Sequence, residues 1–147
     1  MNFAKIVVDG IPMTQCRISD VEHILQSAVS EESEPLRLTP VNLNVTRLCH
    51  EDADLRKIIQ SSHHNFADGW PLLQLARMAG TPLPERVTGS DLTPKICDWA
   101  SRRGWRLAFV GAGEETRQIL GYKYGDVLVG HWTPDYRNRS VFDPDLC

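Results

Sequence analysis

The stretch Asn65-Phe66-Ala67-Asp68-Gly69-Trp70-Pro71 sets a carboxylate at the end of an apolar run, beside a glycine and just before a proline suited to a first helical turn. A carboxylate at a strand end, beside a glycine and a helix start, is aimed into the cleft there. Read more plainly, Asp68 caps the helix that follows, because helix-start N–H groups attract anions. A second stretch, Leu83-Pro84-Glu85-Arg86-Val87-Thr88-Gly89-Ser90-Asp91, holds Arg86 on a proline-stiffened loop close to a helix start. A guanidinium fork beside free helix-end amides matches the oxygens of a diphosphate. The plain alternative is a surface arginine paired with Glu85, Asp91 or another acid. A third stretch, Phe109-Val110-Gly111-Ala112-Gly113-Glu114-Glu115, is a fragment of a dinucleotide fingerprint whose third glycine position holds Thr116. Glycines serving a tight turn are the better account of it, and nothing else in the stretch supports a nicotinamide nucleotide.

Other titratable clusters are weaker. Asp52-Ala53-Asp54 and Asp143-Pro144-Asp145 match the loose Asp-x-Asp pattern of a divalent-cation site, but the first opens a helix and the second lies in the tail. His63 and His64 are adjacent, so on a strand they point to opposite faces and cannot share one ion. No metal and no cofactor are expected. Cys16, Cys49, Cys97 and Cys147 form no CxxC pair, and reduced, mostly buried thiols are the expectation. Trp99, Trp105 and Met78 are assigned to the core or its edge.

These residues need a scaffold, and the composition allows one. The chain has 147 residues, 41% hydrophobic and 24% charged, enough to bury a core without disulfide or metal. Its net charge of −3 provides no field to draw nucleic acid. No apolar run approaches the ~20 residues that span a bilayer, and no export signal is recognisable. A cytoplasmic location is expected.

The elements follow from pattern. Residues 4–8 and Ile11-Pro12-Met13 around Asp9-Gly10 read as a hairpin with a two-residue turn. Ser19 or Asp20 caps a helix with Val21, Ile24, Leu25 and Ala28 on one face, ending near Ser30. Leu36 to Val45 reads as a strand opening into a loop at Thr39-Pro40, Asp52 to Ser61 as a helix, and His63 to Ala67 as a strand. A helix then runs from Pro71 to Gly80, and after a proline-rich loop another runs from Ser90 or Asp91 to Arg103, closed by Gly104. A strand over residues 106–110, a glycine turn, a helix over residues 114–120 and a strand over residues 126–129 complete the order. Alternating strands and helices predict an α/β, Rossmann-like, mainly parallel sheet with helices on both faces behind an N-terminal β-hairpin. Residues 1–135 are expected to form one domain and residues 136–147 an irregular tail. In such sheets ligands sit at the carboxyl ends of strands, so the loops Thr39 to Asn44, Asp68-Gly69 and Gly111 to Gly113 are expected to line one cleft.

Ala67-Asp68-Gly69, followed 18 residues after Asp68 by Arg86-Val87-Thr88-Gly89-Ser90-Asp91-Leu92, resembles the WecG/TagA/CpsF family of bacterial glycosyltransferases. The likeness extends more loosely from Asp9-Gly10-Ile11-Pro12 to Val129-Gly130-His131. It implies inverting transfer of a sugar, N-acetylmannosamine-like, from a UDP-sugar to an undecaprenyl-diphosphate-linked acceptor in cell-surface polysaccharide biosynthesis, at the inner face of the cytoplasmic membrane. It further implies Asp68 as the catalytic base and Arg86 as the contact for diphosphate charge. Thr39 and Asn42, in a Thr-Pro-Val-Asn loop one residue longer than the family's, correspond to substrate-binding positions, and Gly111 and Gly113 would offer backbone amides.

Measured against the family pattern the chain is expected to be C-terminally short. The resemblance implies a later strand-helix unit with a Gly-x-Pro-x-Gln-Glu-like signature and a basic appendage that meets the membrane, and neither is recognisable in residues 1–147. A second expectation therefore stands beside the enzyme: an inactive family member acting as a binding subunit that depends on a partner, either a second copy or a complementary chain. A generic nucleotide-binding protein using Gly111 to Gly113 is the third.

Overall fold

The computed structural model describes residues 3–30, 35–111 and 113–133. The protein is mixed α/β: strands β1 (Lys5–Val8), β2 (Ile11–Thr14), β3 (Leu38–Val41), β4 (His64–Ala67), β5 (Leu107–Val110) and β6 (Leu128–Trp132), with helices α1 (Ile18–Ser30), α2 (Leu43–Glu51), α3 (Ala53–Gln60), α4 (Trp70–Met78), α5 (Gly89–Arg103) and α6 (Glu114–Tyr124). Its contacts divide it into two compact units, residues 1–96 and 97–147. The tail at residues 136–147, with Asp143, Asp145 and Cys147, lies outside the described residues, as does Ala112.

In the first unit the hairpin closes as its turn chemistry requires. Asp9 and Gly10 take φ values of 50° and 76°, the two consecutive positive angles of a twist-matched two-residue turn. Val8 pairs with Ile11 and Lys5 with Thr14. β3 and β4 run parallel, Leu38 opposite His64 and Val41 opposite Ala67, joined through α2 and α3. Instead of one continuous sheet, the described strands form three two-stranded pairs: antiparallel β1–β2, parallel β3–β4 and parallel β5–β6. β2 and β4 approach each other without forming a ladder. Pro12 has no N–H to extend a ladder, and side chains bridge instead: Asn65 Nδ2 donates to Pro12 O at 3.0 Å, and Thr14 Oγ1 lies 3.3 Å from His64 Nδ1.

The stretch read as a strand up to Val45 divides. Asn42 ends β3's course and caps α2, its side-chain oxygen accepting from Val45 N at 3.0 Å. Asp52 caps α3 through two backbone N–H groups, Asp54 and Leu55, each at 2.9 Å. That use of the carboxylate accounts for Asp52-Ala53-Asp54 as helix punctuation. Neither Ser19 nor Asp20 is the cap of α1; Asp20 sits in its first turn and accepts from Arg17 N at 2.7 Å. Val8, Ile11, Met13, Val41, Cys49, Ile59, Ala67, Leu72, Ala76 and Leu83 close into one apolar core under these elements. Met78 was expected at the core edge but is 82% exposed.

In the second unit Cys97, Ala100, Tyr124 and Val127 make a smaller core, with Trp105, Leu107, Phe109 and Leu120 half-buried against it. Tyr124 Oη donates to Asp98 Oδ1 at 2.8 Å, and Ser101 Oγ donates to Asp126 Oδ2 at 3.1 Å. Cys16, Cys49 and Cys97 are free and buried. No helix among the described residues is long and apolar enough to cross a membrane.

Candidate active site

The site in the first unit is built from the carboxyl ends of β3 and β4. Parallel pairing brings Val41 opposite Ala67, and the ladder continues one step with Asp68 N donating to Val41 O at 2.7 Å. The chain then returns: Val87 N donates to Ala67 O at 2.9 Å, so residues 86–89 run beside the end of β4. This second bond is what brings two stretches 18 residues apart in sequence into one place.

Asp68 is half-buried. It does not cap α4: the capping position is Gly69, at φ 134° and ψ 147°, with no side-chain bond. That backbone geometry is open to glycine and closed to most side chains, and it turns the chain from β4 into α4. The carboxylate is thereby directed elsewhere, its Oδ2 lying 3.5 Å from Gly89 N at the start of α5. This contact is at the long limit of a hydrogen bond and leaves most of the carboxylate's acceptor capacity unused.

α5 starts at Gly89, one or two residues before the expected Ser90 or Asp91, and is capped by Thr88. Thr88 is buried, its Oγ1 accepts from Asp91 N at 3.0 Å, and its carbonyl accepts from Leu92 N at 3.0 Å. Arg86 is exposed and its Nη2 lies 3.2 Å from Asp91 Oδ2. Of the two acids considered for it, Glu85 is engaged elsewhere, accepting from Ile18 N at 3.0 Å. An exposed pair of this kind contributes about 0–1 kcal/mol, so an anionic ligand can take the guanidinium from Asp91 at little cost.

The strand pairing sets Thr39 opposite Asn65 and carries Asn42 one residue past Val41, the partner of Ala67, and the two have different duties. Thr39 lies inside β3, and its Oγ1 is 2.9 Å from Ser62 Oγ. Asn42 is exposed and uses its oxygen in the α2 cap, leaving its Nδ2 donor uncommitted by that bond. Gly111 and Gly113 belong to the second unit. Gly111 is buried with φ 95°, and its N–H donates to Trp132 O at 2.8 Å. That amide is therefore occupied. Gly113 caps α6, whose first turn carries Glu114 and Glu115, so two carboxylates already sit where a phosphate would approach.

Reasoning from sequence passed over Thr88 and the Gly89 amide, although Thr-x-x-Asp ahead of Leu92 is a capping pattern. It also passed over the contact of Asp9 with His50, whose Nε2 lies 3.0 Å from both carboxylate oxygens. These two help line a hollow of about 540 Å³ with Leu43, Asn44, Thr46 and Arg47; Asp68 is not part of its wall. His63 and His64 do take separate partners, Arg37 N and Thr14 Oγ1. Among the described residues no three His, Cys, Asp or Glu side chains are grouped to hold a metal ion.

Set against known proteins, residues 6–141 match a family model described as the glycosyl transferase WecG/TagA/CpsF family. A comparison with curated proteins gave no match.

Proposed function

The chain belongs to the WecG/TagA/CpsF family of glycosyltransferases, and from that premise we propose that it transfers a sugar, N-acetylmannosamine-like, from a UDP-sugar to an undecaprenyl-diphosphate-linked acceptor, with inversion. The proposal includes a place at the inner face of the cytoplasmic membrane, in polysaccharide assembly, and a Rossmann-like character for each parallel strand pair with its crossover helices.

In this reading Asp68 is the general base. It takes the proton of the acceptor hydroxyl as that oxygen attacks the anomeric carbon; the bond from that carbon to the UDP oxygen breaks, and its electron pair leaves on the diphosphate. Arg86 and the amides that open α5 receive the departing charge. Asn42 Nδ2 is available to a substrate oxygen, and Thr39 supports the strand end through Ser62. The observation that carries the reading is that Asp68, at the end of β4, is not a cap of α4 and faces the start of α5. A carboxylate kept from capping in a half-buried position retains the lone pairs that proton abstraction requires.

The test is transfer from UDP-N-acetylmannosamine to a lipid-diphosphate-linked N-acetylglucosamine acceptor by the full chain and by Asp68→Asn. The substitution is expected to lower kcat by about 10²–10⁴-fold, the usual worth of a general base, with UDP binding retained in a thermal-shift assay. Transfer unchanged by Asp68→Asn removes Asp68 from the mechanism. UDP binding with no transfer by the unsubstituted chain leaves a binding subunit in place of an enzyme.

A further inference from the structure

We infer that the outer face of α4 is the docking groove for the lipid-diphosphate part of the acceptor, with Trp70 and Arg77 as its two determinants; this rests on the proposed transfer and assigns its acceptor side. A groove of about 290 Å³ is lined by Trp70, Leu73, Gln74, Arg77, Pro82 and Leu83. Trp70, Gln74 and Arg77 recur at helical spacing along one face. Trp70 is two positions from Asp68 and is 64% exposed, far more than a residue placed there for core packing.

Two features select an amphipathic anion. The walls formed by Trp70, Leu73, Pro82 and Leu83 are apolar, which suits a hydrocarbon chain and the flat face of a sugar ring. Arg77 supplies the charge, and no carboxylate among the described residues is paired with it. From Trp70 to Arg77 the helix rises about 10 Å, so the cation stands about one sugar ring and a diphosphate along the helix from the indole. The opposite wall is held in place without a ligand. Gln15 Nε2 donates to Pro82 O at 3.3 Å, and Thr81 N donates to Ala76 O at 3.0 Å.

The test uses geranyl diphosphate as the probe, titrated into the full chain and followed by calorimetry, with inorganic pyrophosphate and geraniol as separate arms. Geranyl diphosphate is expected to bind at least about tenfold more tightly than either half alone, and Arg77→Gln and Trp70→Ala are each expected to weaken it about tenfold, the loss of one charge-assisted or aromatic contact. Both side chains are exposed, so both variants should keep the unsubstituted melting temperature. Ile58→Ser, at an exposed site on α3, should leave binding unchanged. Equal binding by Arg77→Gln and Trp70→Ala, equal binding of pyrophosphate alone, or no binding overturns the groove. The two proposals fail separately. Sugar transfer that is indifferent to Trp70 and Arg77 overturns the groove alone, whereas Arg77-dependent binding of geranyl diphosphate without transfer of any UDP-sugar overturns the enzyme and leaves the groove.

Discussion

Asn65 shows how one buried side chain can place a site it does not enter. It is fully buried, and its Nδ2 donates to Pro12 O at 3.0 Å and to Ile59 O at 2.9 Å. One amide thereby joins β2, α3 and β4, and the strand it anchors delivers Asp68 three residues later. Its neighbour His64 packs flat against Phe66, ring centroids 6.3 Å apart, and meets Phe3 edge-on. Burial, reinforced by the charges of Lys5 and His63, holds the His64 pKa below the usual 6.5. A histidine whose folded pKa is depressed is protonated first in the unfolded chain, so stability must fall as pH drops below about 6.5. Melting temperature measured from pH 8 to pH 5 should decline on that limb, and His64→Phe should flatten the decline. An unaltered slope in the variant would assign the acid limb to other groups. Cys16 behaves in the opposite sense: burial first, then the nearby Asp20 and Glu85, push its thiol up to about 12, which keeps it protonated and unreactive at neutral pH.

The elements were mostly readable because their punctuation is local. Asp9-Gly10 announces its own turn, and Gly80 and Gly104, at φ 77° and 67°, close α4 and α5 where a left-handed residue is needed. The price of that turn chemistry is testable at Gly10. A side chain there would be strained at φ 76°, and its Cβ would come within 2.5 Å of Arg56 Nη2. Gly10→Ala should destabilise the fold by about 1–2 kcal/mol, read as a lower urea midpoint with an unchanged slope; no shift would mean that the hairpin tip relaxes freely. The helix α2 is not legible because the alternating stretch that runs through Asn44 and β-branched Val45 reads as strand. Its helical signal was present all the same, since Thr46 and Cys49 are buried and Val45 and Leu48 half-buried at i, i+3 spacing. The Asn42 cap outweighed β-propensity, which is mostly a report on surroundings.

The two units differ in how much apolar surface each encloses. The first buries Ile11, Met13, Val21, Val41, Phe66, Leu72 and Val87 almost completely; in the second, among the described residues, Val110, Ile119, Tyr122 and Val129 are well exposed. Local stability follows buried apolar contact. Native-state hydrogen exchange should therefore show the amides of β5 and β6 opening at lower free energy than those of β3 and β4, and equal protection in the two pairs would contradict this ranking. What could be read along the chain were features set within a few residues of one another: turn, cap, apolar period, and the motif carrying Asp68 and Arg86. Other features were settled by groups far apart in sequence. Glu85 binds Ile18 N and so leaves Asp91 to Arg86; Val87 bonds to Ala67 and so brings the α5 start to Asp68; Asn65 reaches Pro12 O and so ties β4 to β2 through a side chain. Local patterns report the torsional preferences of their own residues, whereas a hydrogen-bonding partner is chosen by whichever group folding brings within reach.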